Sequence, residues 1–214
     1  MSIKQNIAKI IKAIPIDVQL VAATKSSSMT EIKQAIDAGI KIIGENYVQE
    51  AKEKYAELKG KVNFHLIGHL QTNKVKDAVE IFDMIQTVDS VKVAKEIDKR
   101  TKKIMPVLIE VNIGREKNKT GILPEDILNF LDSAKSLKNL QVKGLMTMCP
   151  VLKNQEEYRP YFRKMKQLFE EIKSKNIPNV SMEILSMGMS DSYKIAIEEG
   201  SSMIRLGRRL RTFL

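Results

Sequence analysis

The stretch Val18-Gln19-Leu20-Val21-Ala22-Ala23-Thr24-Lys25 is short, apolar and followed by Ser26-Ser27-Ser28, which reads as a buried strand with a sharp end. Residues 30–38 then carry a helical pattern, with Gly39 as its cap. Ile40-Lys41-Ile42-Ile43-Gly44 follows as a second strand. A buried strand, a helix and another buried strand imply a parallel crossover. The pattern then repeats. Strands are expected over 62–67, 83–88, 106–112, 142–147, 182–186 and 203–206. Helices are expected over 46–58, 71–79, 90–102, 125–136 and 193–199. A longer helix presents Tyr158, Phe162, Met165, Phe169 and Ile172 at helical spacing. One internal echo supports repeated units. Ala35 to Gly39 leads into Ile42-Ile43-Gly44, as Ala196 to Gly200 leads into Ile204-Arg205-Leu206-Gly207.

About eight such units point to an α/β chain folded as a single (β/α)8 TIM barrel over residues 1–214. The alternative is an open doubly wound sheet, but the glycine-rich dinucleotide turn expected there is missing after the first strand. Ahead of the barrel, Ile3, Ile7, Ile10, Ile11 and Ile14 mark one face of an extra N-terminal helix that packs on the domain. Lysines interrupt this segment, so it lacks the apolar core of a secretory signal. No apolar run approaches the roughly 20 residues of a membrane helix, and no membrane role is expected. The lone Cys149 fits a reducing cytoplasm. The net charge of +10 raises the question of a polyanionic partner. Acidic and basic residues alternate, however, as in Glu50-Ala51-Lys52-Glu53-Lys54, which marks solvated helix faces. No tryptophan is present, so stacking platforms are scarce and nucleic acid is not an expected partner. The exception to the alternation is the cluster Arg205, Arg208, Arg209 and Arg211.

In such a barrel the functional groups sit at the C-terminal ends of the strands. Those ends carry Lys25, Glu45-Asn46, Gly68-His69, Thr87 to Asp89, Asn112, Ser186 to Ser190, and Arg205 to Arg208. A strand-end lysine with a packed stem is desolvated. Desolvation favours the neutral, nucleophilic amine that a carbonyl ligand such as pyridoxal phosphate requires for a Schiff base. The alternative is a lysine snorkelling to water. The loops after strands seven and eight, which often bind phosphate in barrels, hold the Ser/Gly segment 186–190 and Gly207; turn geometry alone is the alternative. Closure would bring Arg205 near Lys25, where a guanidinium facing a pyridine nitrogen keeps that nitrogen unprotonated. His65 is expected against the barrel wall and His69 in a loop. With no cysteine or carboxylate pattern around them, no metal site is expected. Asn112 to Gly121, with Lys117, Lys119 and Thr120, reads as a mobile loop over the mouth.

These residues fall into an ordered set: Ala23-Thr24-Lys25, Gly44 to Glu50, His65 to Lys74, Val111-Asn112-Ile113 with Lys119-Thr120-Gly121, Gly144-Leu145-Met146, Ser186 to Ser190, and Gly200 to Gly207. The set resembles the YggS/PROSC family of pyridoxal-phosphate-binding homeostasis proteins and covers nearly the whole chain. The resemblance implies a barrel like the N-terminal domain of alanine racemase, with pyridoxal 5'-phosphate held as a Schiff base on Lys25. It also implies Asn46 near the ring, Arg205 at the pyridine nitrogen, and phosphate donors around Ser186, Gly188, Gly207 and the N–H of Arg208. The chain departs from the family at Arg208, where a serine or threonine is usual, so a hydroxyl donor to phosphate is missing and the guanidinium is a candidate substitute. Arg211-Thr212 stand where the family has Phe-Gly, and Ser192 stands where it commonly has Asp.

Racemases of this type add a second domain that supplies a tyrosine base, whereas here the barrel takes up the whole chain. The expectation is therefore a cytoplasmic, monomeric, non-catalytic protein of vitamin B6 homeostasis. Its implied partners are the cofactor and enzymes that require it. The alternatives are a weak amino-acid racemase or other cofactor-dependent enzyme, and a basic binder of nucleic acid or acidic protein.

Overall fold

The computed structural model describes residues 2–207 and Leu210. Eight strands form a closed parallel barrel in chain order. They are β1 (Gln19–Ala23), β2 (Ile42–Glu45), β3 (Asn63–Leu66), β4 (Met84–Val88), β5 (Met105–Glu110), β6 (Leu140–Met146), β7 (Val180–Ser186) and β8 (Met203–Leu206). The last strand pairs with the first, with Val21 opposite Arg205 and Ala22 opposite Leu206. That pairing excludes the open sheet.

Helix α1 (Ile3–Ala13) precedes the barrel. Ser2 and Gln5 cap it reciprocally, which satisfies two backbone donors that have no partner within the helix. Ile7 is fully buried and Ile3, Ile10 and Ile14 pack on the core, but Ile11 is exposed, so the apolar face is narrower than the five isoleucines suggest. The outer ring is α2 (Met29–Asp37), α3 (Val48–Leu58), α4 (Val75–Ile81), α5 (Val91–Arg100), α6 (Ile127–Ala134), α7 (Arg159–Ser174) and α8 (Tyr193–Glu198). Short 3-10 turns lead into α4, α6 and α7, which explains why those helices begin later than the apolar periodicity suggests. None of the described helices is long and apolar enough to cross a membrane.

Alternation along the strands sorts side chains into two cores. Leu20, Ala22, Ile43, Phe64, Leu66, Ile204 and Leu206 face the helices in one large cluster. Val21, Ile42, Ile67 and Met203 fill the inside of the barrel on one side, and Met84, Leu108 and Met146 fill it on the other. The inward position one step beyond Met203 is Arg205. A buried cation therefore stands directly above the apolar inner layer, level with the buried polar residues His65, Gln86 and Ser186.

Candidate functional site

Arg205 is 4% exposed. Burying a guanidinium costs several kcal/mol unless it is well hydrogen-bonded. Here one terminal nitrogen donates to the Ser186 Oγ at 2.5 Å and the other to the Thr147 carbonyl at 2.7 Å. The Thr147 hydroxyl in turn donates to the Val111 carbonyl at 2.7 Å. Ser186 donates to the Gln86 side-chain oxygen at 2.7 Å. The Gln86 nitrogen lies 2.9 Å from His65 Nδ1 and 3.2 Å from the Met203 sulfur. Burial lowers Arg205 to about 10, which still leaves it charged at neutral pH. Burial also lowers His65 to about 4, so its imidazole is neutral there. His65 thus points into the barrel interior and takes part in a network, rather than lying against the wall. Gln86 and Thr147 are not nominated by the sequence because they belong to no recognisable motif. The signal that points to Gln86 is its amide in an inward position of an apolar strand.

Lys25 lies just past the end of β1, at the same alternation as Val21 and Ala23. It is exposed, so the packed, desolvating surroundings expected of it are not supplied by the protein. Next to it, β2 pairs with Ala23 opposite Gly44, and Asn46 follows two residues later. Asn46 is half-buried against the β3 loop. A Cβ at Gly68 would stand 2.3 Å from the Asn46 carbonyl oxygen, so this close approach needs glycine. Asn46, Tyr47, Gly68, His69 and Lys74 line a cleft there. Glu45, also read as a strand-end group, turns outward instead. It takes hydrogen bonds from Thr24 and from Lys54 of α3 (2.6 Å for Lys54) and serves as a buried peg beneath that helix.

Gly188 has φ +96, and a Cβ there would meet Ala196 Cβ at 2.6 Å. Its carbonyl accepts from the Arg205 backbone N–H at 3.1 Å, tying the loop after β7 to β8. Gly207 follows β8 directly. Lys25, Asn46, Gly188, Arg205, Gly207 and Ser186 therefore gather on β7, β8, β1 and β2, which are consecutive around the barrel. Within this set the Ser186 Oγ accepts from the Arg205 guanidinium. Arg208, with Arg209, Arg211 and Thr212, lies outside the described residues.

The opposite side of the mouth is acidic. Glu110, on β5, is buried and accepts from the Thr120 hydroxyl at 3.1 Å. Burial raises its carboxyl above the usual range, outweighing that hydrogen bond, and nearby Asp89 adds to the rise. Asp89 also sits 3.0 Å from His69 Nδ1, and both line a second cleft with Thr120 and Gly121. The loop 112–121, expected to be mobile, is laced by hydrogen bonds. Asn112 bonds the Glu116 backbone in both directions, and Lys119 reaches the Cys149 carbonyl at 3.3 Å.

With this geometry in place, the chain can be set beside known proteins. The family model for the alanine racemase N-terminal domain matches residues 1–210. The pyridoxal phosphate homeostasis protein of Aquifex aeolicus is 41% identical over 196 residues, covering 90% of this chain and 85% of the relative. This chain belongs to the family of pyridoxal phosphate homeostasis proteins. The family member of Haemophilus influenzae is 40% identical, over 89% of this chain and 82% of its own length. Among solved structures, PipY of Synechococcus elongatus PCC7942 with pyridoxal phosphate bound superposes with a TM-score of 0.90 at 31% identity. That match covers 99% of this chain and all of PipY. An alanine racemase of Clostridium difficile shares the fold at 13% identity with a TM-score of 0.82, and this chain spans 56% of it.

Proposed function

We propose that the chain binds pyridoxal 5'-phosphate in the service of cofactor homeostasis, with Lys25 as its Schiff-base attachment point. The observation that carries this reading is the buried Arg205 on β8, next to the strand that leads to Lys25. The residues present fit the group. A primary amine, a buried cationic donor and two glycine-bearing turns stand on adjacent strand ends. They match the aldehyde, ring nitrogen and phosphate of this cofactor in kind. When bound, the cofactor supplies an aldehyde that condenses with amines. Arg205 would hold the ring nitrogen, Asn46 would stand beside the ring, and backbone N–H groups around Gly188 and Gly207 would take the phosphate. Relatives named for homeostasis, matched over most of their length, support the general role.

The donor set supports a non-catalytic role. Arg205 can donate a hydrogen bond to a ring nitrogen but does not give up its proton at neutral pH, which leaves the ring a poor electron sink. We place the protein in the cytoplasm as a monomer, with its one cysteine reduced and buried. Enzymes that need the cofactor are its proposed recipients. Purified protein mixed with pyridoxal 5'-phosphate should develop a visible absorption band that Lys25→Ala abolishes. A chiral assay with alanine should show no turnover above free cofactor. Turnover that depends on Lys25 would instead favour a racemase, and absence of a band would remove the cofactor reading altogether.

A further inference from the structure

We infer that Ser186, Gln86 and His65 form a positioning relay that holds the Arg205 guanidinium for the ring nitrogen, so that Ser186 acts on the ligand through Arg205 and not as a phosphate donor. The inference rests on the cofactor reading above. Its basis is the direction of the hydrogen bonds. Arginine only donates, so the Ser186 oxygen is the acceptor in the 2.5 Å contact. A hydroxyl has one proton, and the Gln86 oxygen at 2.7 Å takes it. Phosphate oxygens also need that proton, so Ser186 cannot hold Arg205, bond Gln86 and donate to phosphate at once. The Gln86 amide is oriented independently. The Met203 thioether can only accept, so the amide nitrogen must lie on its side, at 3.2 Å, which is also the side of His65. His65 Nδ1 must then carry a lone pair, making the imidazole the neutral tautomer protonated at Nε2.

The four side chains come from β3, β4, β7 and β8, and each is at most 5% exposed. In such a setting a broken link leaves a buried group unpaired, so the relay is held as a unit. The lowered basicity of His65, caused by burial, agrees with a neutral imidazole.

The test compares pyridoxal 5'-phosphate with pyridoxal, which lacks the phosphate, on the full-length protein. Ser186→Ala and Gln86→Leu should each weaken both ligands by a similar factor, roughly tenfold to a hundredfold. Both should also shift the pH dependence of the ligand's absorption band, and Ser186→Thr should restore it. Loss of pyridoxal 5'-phosphate affinity in Ser186→Ala with unchanged pyridoxal affinity would make Ser186 a phosphate ligand and overturn the relay. Parental behaviour in Gln86→Leu would overturn it as well. No band with either ligand in the parent would instead remove the cofactor reading. Should a variant fail to fold, long-range 1H–15N spectra of the unliganded parent decide, with His69→Gln separating the two histidines. A neutral His65 protonated at Nε2 is the expected state. Protonation at Nδ1 would reverse the amide and break the relay.

Discussion

Arg205 stands opposite Val21 where the last strand of the barrel closes on the first, so a buried cation sits beneath the end of the strand that leads to Lys25. The pairing joins stability to function. Barrel closure places the guanidinium, and the guanidinium satisfies polar groups that the interior would otherwise strand. Replacing Arg205 with leucine should leave the Ser186 oxygen and the Thr147 carbonyl without their donor. The expected loss is about 1–3 kcal/mol for each stranded acceptor, even without ligand. Urea unfolding reads it directly, and parental stability in Arg205→Leu would show that the network contributes nothing.

His65 gives the fold an acid-sensitive point. Its folded-state pKa is about 4 against 6.5 when exposed, so the unfolded chain binds a proton first as pH falls. Stability from this residue is complete above 6.5 and drains away down to about 4, by about 3 kcal/mol. His65→Gln keeps an acceptor for Gln86 and does not titrate. Its unfolding free energy should fall less than the parent's across that window, and parallel pH profiles would refute the assignment.

Glu110 has the opposite sign. Its folded-state pKa is raised, so its contribution is complete below the ordinary carboxylate value of 4.5 and is lost as pH rises through the folded value. Glu110→Gln keeps a group that accepts from Thr120 but cannot ionise. Its stability advantage over the parent should grow as pH rises from acid to neutral in thermal melts. A constant difference across pH would mean that the carboxyl does not titrate in the folded protein.

Cys149 should be inert in the native state. Burial pushes its thiol up to about 12. An aromatic disulfide reagent at neutral pH should modify it at least about a hundredfold more slowly in the folded protein than in urea. Equal rates would mean that the loop around Cys149 opens freely.

The barrel is legible in the amino-acid sequence because each strand–helix unit writes its own hydrophobic period. The run from Val18 to Lys25 announces a buried strand, and Gly39 and Gly200 mark helix ends whose following strands are β2 and β8. Strand ends then nominate Lys25, Asn46, Gly188, Arg205 and Gly207 together. The interior of the barrel is harder to read. Gln86 and Thr147 are polar residues in or just beyond largely apolar strands, and their links to Ser186 and Arg205 span more than fifty residues of sequence. Glu45 misleads for the same reason. Its place at a strand end is correct, but alternation turns it toward α3, and only the pairing with Lys54 shows it.

The central claim is that the exposed amine at the end of β1 carries the cofactor, and one measurement addresses it most directly. The purified protein is saturated with pyridoxal 5'-phosphate, reduced with borohydride, digested and mapped by mass spectrometry. The expected result is a single pyridoxyl modification on Lys25, absent from Lys25→Ala and weakened in Arg205→Leu. A modification confined to another lysine, such as Lys74 or Lys119 at the same mouth, or no modification at all, would contradict the assignment.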